Sequence, residues 1–219
     1  RIAIGRVNNQ VRVYEWLNEE WFQLGADIVS DSTNDKIGES VALNEDGSII
    51  AVGAPEYSEA ASKKYLGKAS FFIWDGMDWL PHGEDLIGRA SFDLLGKSIS
   101  ISNSGSTLIV SAPNYAGYAK TYLWGESAWE QIGETIYGDS ESDAFGTSVS
   151  SSGDGTVVAM GAVGNDKNGQ DAGSVKIFEL GRVDCSALAL LAGWPDELSS
   201  GVGGTISISG NGTECNSVS

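Results

Sequence analysis

Two stretches of this 219-residue chain place oxygen ligands closely enough for cation chemistry. Asp139, Glu141 and Asp143 alternate with serines, and Asn165, Asp166, Asn168 and Asp171 crowd around Gly169. Calcium takes six to eight oxygens, and closely spaced Asp and Asn about a glycine turn are how a loop supplies them. Either stretch also reads as an ordinary polar loop. Acid–base and nucleophilic chemistry find less material. His82 is the only histidine, so a His-rich metal site has no basis and a Ser-His-Asp arrangement has one base at most. Carboxylate pairs for glycoside hydrolysis leave no local signature when they come from distant parts of a fold. No phosphate-binding glycine loop is visible.

Three tryptophan pairs, Trp16/Trp21, Trp74/Trp79 and Trp124/Trp129, have four residues between the two indoles. That is a hairpin loop length, and it predicts each pair side by side across two strands. Such a pair is a stacking platform for a sugar or peptide, or a wedge between sheets. Recurrence favours the wedge.

The elements that must position these residues are repeats. The unit complete at both ends runs from Phe92 to Phe145: Asp93-Leu94-Leu95-Gly96, a turn at Ser104-Gly105, Leu108-Ile109-Val110-Ser111-Ala112-Pro113, then Gly117 to Trp124 and a strand from Trp129. Units fall at about 1–37, 38–95, 96–145 and 146–180, the first and last incomplete. Asp46-Gly47 and Asp154-Gly155 between apolar runs predict hairpins, and Val11 to Trp16 alternates with period two. Each unit reads as four short strands that must stack on neighbours to bury both faces. The expected fold is all-β, a partial β-propeller of four-stranded antiparallel blades. Residues 181–219 read as a different, Ser- and Gly-rich text with one alternating run, Thr205 to Ser209: a tail or the start of another domain.

Asp143-Ala144-Phe145-Gly146 followed by Val158 to Ala162, and Gly38 followed by Val52-Gly53-Ala54-Pro55, resemble FG-GAP repeats, with Ile37-Gly38 and Leu95-Gly96 as stand-ins for Phe-Gly. These repeats build the seven-bladed propeller of integrin alpha subunits and of many secreted or cell-surface proteins. The resemblance implies an extracellular adhesion or interaction scaffold that is not an enzyme, completed by further blades from a longer parent chain. It also implies calcium in the turn between the first two strands. Here those turns, Asn44 to Gly47 and Ser152 to Gly155, are short and poor in carboxylates. The alternative reading is a fragment of a carbohydrate-active propeller enzyme with acidic residues converging from several blades. Against it, the innermost strands offer serine at Ser40, Ser98, Ser100, Ser148 and Ser150.

Segments between the second and third strands vary freely, and variable loops on a constant scaffold are where recognition resides. Glu56, Tyr57, Asn114, Tyr115, Asn165 and Asp166 are therefore the expected contacts for a protein or carbohydrate ligand. The formal net charge of −17 excludes a phosphate-backbone partner. No apolar run reaches the ~20 residues that span a bilayer. The chain opens inside a motif, at Arg1, and reads as a fragment or processed product. Cys185 and Cys215 form a disulfide in a secreted protein or stay free thiols in a reducing one, and Asn211-Gly212-Thr213 is a glycosylation triplet pointing outside the cell.

Overall fold

A computed structural model describes residues 1–180 apart from 7, 8, 31, 33 and 61–63, together with three short strands beyond them. The described residues are all-β and form a partial propeller, a row of four blades. The first contains β1 (Ile2–Arg6), β2 (Gln10–Leu17) and β3 (Glu20–Val29). The second contains β4 (Ser40–Leu43), β5 (Ile49–Ala54), β6 (Lys68–Trp74), β7 (Trp79–Pro81) and β8 (Leu86–Ile87). The third contains β9 (Ile99–Ile101), β10 (Thr107–Ala112), β11 (Tyr118–Trp124) and β12 (Trp129–Tyr137). The fourth contains β13 (Phe145–Ser151), β14 (Val157–Ala162) and β15 (Ser174–Glu179). All strand pairs are antiparallel, in sequence order within each blade except that β8 pairs with β6 beside β7. The three remaining strands, β16 (Leu198–Ser199), β17 (Thr205–Ser207) and β18 (Asn216–Val218), pair with one another in that order.

Burial along the central strands records each blade's position. Every residue of β10 is buried, as are five of the six in β5, because these strands are covered on both faces. The end blades alternate instead: β15 shows exposed residues at every second position, and β14 buries only Val158, Met160 and Ala162. Three apolar layers lie between consecutive blades. Val11, Val13, Ile50 and Val52 fill the first, Phe71, Leu95, Leu108 and Val110 the second, and Ile109, Phe145, Val158 and Met160 the third.

The Phe-Gly position joins one blade to the next. Leu95 and Phe145 are fully buried, and their amides donate to Leu66 O (3.1 Å) and Ala116 O (2.9 Å) of the preceding blade. The chain they approach contains Gly67 and Gly117, both at left-handed φ (+77° and +73°). A Cβ on Gly67 would lie 2.1 Å from Leu95 N, and one on Gly117 2.1 Å from Phe145 O. Only glycine allows that approach. The inner strands are tied by serines: Ser40 Oγ donates to Gly96 O (2.7 Å), and Val149 N and Ser151 N donate to Ser98 Oγ and Ser100 Oγ (3.1 and 3.0 Å). Those serine side chains brace blades.

The tryptophan pairs face each other in register, Trp16↔Trp21, Trp74↔Trp79 and Trp124↔Trp129, at ring separations of 5.2, 5.4 and 5.2 Å. Two are wedges. Trp79 Nε1 donates to Leu24 O (3.0 Å), and a Cβ on Gly25 would meet Trp74 at 2.9 Å; one on Gly83 would meet Trp124 at 2.8 Å. Trp16 and Trp21 are about half exposed, on the outer side of the first blade.

Candidate recognition face

Two sets of loops meet at one end of the blades: those joining the second and third strands of a blade, and those leading from one blade into the next. Phe92 N donates to Lys64 O (2.8 Å), Leu94 N to Tyr65 O (3.1 Å), Ala144 N to Tyr115 O (3.1 Å) and Glu56 N to Asp35 O (3.0 Å). Asn114 Nδ2 donates to Phe92 O (2.6 Å), linking the second and third blades. These bonds hold Lys36, Tyr65, Phe92, Leu94, Tyr115 and Ala144 at positive φ, a conformation non-glycine residues rarely keep. The consequence is an aromatic surface. Tyr65 and Phe92 sit 5.6 Å apart, 38% and 43% exposed, and Tyr115, next to Asn114, is 69% exposed.

The residues expected from sequence are distributed unevenly across this end. Glu56 pairs with Lys36 (2.5 Å), and the ring of Tyr57 lies 4.8 Å from Lys68 Nζ. Asn114 and Tyr115 belong to the aromatic surface. Asn165 is buried and its Nδ2 donates to Asp143 Oδ2 (2.9 Å); Asp166 Oδ1 accepts from Asp171 N (2.7 Å) within its own loop. Glu141, Asn168 and Asp171 point to solvent. Cys185, Cys215 and Asn211 lie outside the described residues.

Of the two oxygen clusters, only Asp139, Asp143 and Asn165 come together. Asp143 Oδ2 accepts from Asp139 N (2.8 Å), while its buried Oδ1 has no hydrogen-bond partner among the described residues. The Asn165 amide, with backbone N–H groups and Lys176 behind it, holds the Asp143 carboxyl below the usual range. Beside Asp139 the cationic position is taken by Lys176, 2.6 Å away. Among the described residues no group of three or more His, Cys, Asp or Glu side chains converges closely enough to hold a metal ion. Asp93 repeats the Asp143 arrangement: its Oδ2 accepts from Arg89 N (2.8 Å), Ala90 N (3.0 Å) and Tyr118 OH (2.9 Å). An aspartate two residues before Phe-Gly thus folds the turn that delivers Phe-Gly.

One ionisable group escaped the sequence reading. Lys120 on β11 is 6% exposed, its Nζ 5.5 Å from the Tyr118 ring. Burial, helped by Arg89, presses the amine below its ordinary pKa, against the pull of Asp93. Burial also pushes the Tyr118 and Tyr122 phenols up, with Asp93 adding to the shift at Tyr118. The signal available in sequence was a lysine inside an apolar strand, Ala119-Lys120-Thr121. With Tyr122, it lies on the face of β11 that is turned to the second blade. His82, the sole histidine, stacks on Trp124 at 3.8 Å, and burial lowers its pKa.

Residues 137–178 match a family model described as the FG-GAP repeat. The match falls on the fourth blade and the turn that leads into it. The fourth blade's Phe145-Gly146 and Gly161-Ala162 occupy the places where Leu95-Gly96 sits in the third blade and Gly53-Ala54 in the second. No curated protein sequence matches the chain. Similar solved structures include a protein assigned as a 6-phosphogluconolactonase of Bacteroides uniformis, 13% identical, with 90% of this chain and 57% of that one covered and a TM-score of 0.43. Another is the periplasmic gluconolactonase PpgL of Pseudomonas aeruginosa, 13% identical, with 99% and 66% covered and a TM-score of 0.45. The chain thus spans less than two thirds of either. These names correct one expectation: the resemblance implied a protein that is not an enzyme, and proteins named as lactonases stand among its structural neighbours. At this identity the likeness concerns strand layout and carries neither activity nor residue roles to this chain. No helix among the described residues is long and apolar enough to cross a membrane.

Proposed function

We propose that this chain is a recognition segment of an extracellular β-propeller and that its ligand is a carbohydrate held at the loop end of the second and third blades. The observation that carries the reading is the exposed aromatic surface of Tyr65, Phe92 and Tyr115, kept in place by cross-loop hydrogen bonds and left-handed backbone. Aromatic faces stack on the apolar faces of sugar rings, and the acceptors and amides beside them suit ring hydroxyls. The Asn114 side chain lies within this group, bonded to the Phe92 carbonyl. Strain at exposed aromatics is a feature of ligand sites, where the scaffold stabilises a conformation the residues alone avoid. The acidity of the chain favours neutral or basic sugars over sulfated and uronic ones.

The test is an array of immobilised neutral oligosaccharides probed with the wild-type chain and with Phe92→Ala and Tyr115→Ala. Retention of a sugar that falls about tenfold or more in each variant supports the reading. Retention of no sugar, or retention indifferent to both substitutions, removes it.

A further inference from the structure

The outer face of the fourth blade is built to receive another blade. Val175 and Ile177 on β15 are 66% and 69% exposed, whereas their counterparts facing the next blade are buried: Val11 and Val13 on β2, Ala69 and Phe71 on β6. Beside them lies a groove of about 400 Å³ lined by Gly161, Ala162, Val163, Ala172, Gly173 and Val175. Gly173 corresponds to Gly67 and Gly117 and shares their left-handed φ, +73°. A Cβ there would meet only its own blade, at 3.5 Å or more, and one on Gly161 only Ser148 O at 3.8 Å. In the second and third blades this place is filled by Leu95 and Phe145.

The chain carries a matching segment. Val202-Gly203 is followed two residues after the glycine by Thr205, and nine after it by Gly212 in Asn211-Gly212. Gly38, Gly96 and Gly146 are followed at the same distances by Ser40, Ser98 and Ser148, and by Gly47, Gly105 and Gly155. Upstream, Trp16, Trp74 and Trp124 precede Ile37, Leu95 and Phe145 by 21 residues, and Leu180 precedes Val202 by 22. Backbone pairing agrees independently. Thr205↔Val218, Ile206↔Ser217 and Ser207↔Asn216 reproduce the register of Ser148↔Gly161, Val149↔Met160 and Ser150↔Ala159. Three features depart from the repeat: Ser200 stands where Asp35, Asp93 and Asp143 stand, Leu180 replaces the first tryptophan, and β17 pairs with β16 on the edge that β4, β9 and β13 leave unpaired.

We propose that residues 200–219 open a fifth repeat and that its Val202-Gly203 seats in the groove at Gly161 and Gly173, covering Val175 and Ile177. The partner of this face is thus the chain's own C-terminal segment, docked as each earlier Phe-Gly docks on the blade before it.

The test uses the full chain. Ile177→Asp places a charge in the covered interface and raises the unfolding equilibrium constant about thirtyfold; Val202→Asp does the same, and the double variant costs no more than the worse single. Methyl NOEs in the wild-type chain, between Val202 and Val175 or Ile177, provide a measurement that needs no variant. An Ile177→Asp change within threefold, additive effects of the two substitutions, or absence of those NOEs overturns the proposal. So do NOEs seen only between differently labelled molecules, which assign the groove to a second copy.

Discussion

Replacing Gly117 with alanine probes the joint between the third and fourth blades. Gly117 is held at φ +73°, and its added Cβ would stand 2.1 Å from Phe145 O and 2.7 Å from Phe145 N. Ordinary contact begins near about 3.5 Å, so the fourth blade would have to retreat by roughly an ångström along a seam where Phe145, Val158 and Met160 are fully buried. Left-handed backbone costs an alanine about 1 kcal/mol, and forced separation of a packed layer adds about 2 kcal/mol. Gly76 is the control: it lies at φ +101° with nothing within 4 Å of its added Cβ, so Gly76→Ala bears the strain alone, about 1 kcal/mol. Urea denaturation followed by tryptophan fluorescence gives both numbers. The reasoning requires Gly117→Ala to exceed Gly76→Ala by about 2 kcal/mol at unchanged m value. Equal losses in the two variants would mean that the blades are not locked at this contact.

Three further outcomes follow from the same packing. Phe145→Ala lowers stability by about 3–5 kcal/mol, while Phe145→Leu, the residue type that fills the same place at Leu95, costs under about 1.5 kcal/mol; both are read from denaturation midpoints. Asp93→Asn weakens acceptance from Arg89 N, Ala90 N and Tyr118 OH and costs about 1–2 kcal/mol, measured the same way at pH 7. Burial depresses the pKa of His82 in the folded state, so folding favours its neutral form: this contribution is fully present above the unfolded-state pKa of about 6.5 and is lost as pH falls towards the folded value. The thermal midpoint between pH 7.5 and 5.5 should therefore fall more steeply for the wild-type chain than for His82→Gln, and parallel curves would refute the assignment.

The architecture was legible because its causes are local. Period-two alternation, Asp-Gly turns and tryptophans with four residues between them each fix a strand or hairpin without help from distant residues. The binding surface was legible only in part. Asn114 and Tyr115 stand in a loop whose length varies between repeats, but Tyr65 and Phe92 owe their exposure to left-handed backbone fixed by bonds between different loops. No single segment announces that. Spacing also misdirected: the alternating acids at Asp139 to Asp143 look like ligands, yet Asp143 is buried accepting the Asp139 and Asn165 N–H groups, and Asp139 holds Lys176. Lys120 is buried because the neighbouring blade covers it, a fact held in the stacking and not in its own strand.

The most direct measurement of the recognition reading is hydrogen exchange of the full chain with and without the oligosaccharide that the array retains best. The account predicts slowed exchange in peptides covering residues 56–66, 88–95 and 113–117, with the strand bearing Trp16 and Trp21 unchanged. Protection centred on Trp16 and Trp21, or none on the three loops, would contradict it.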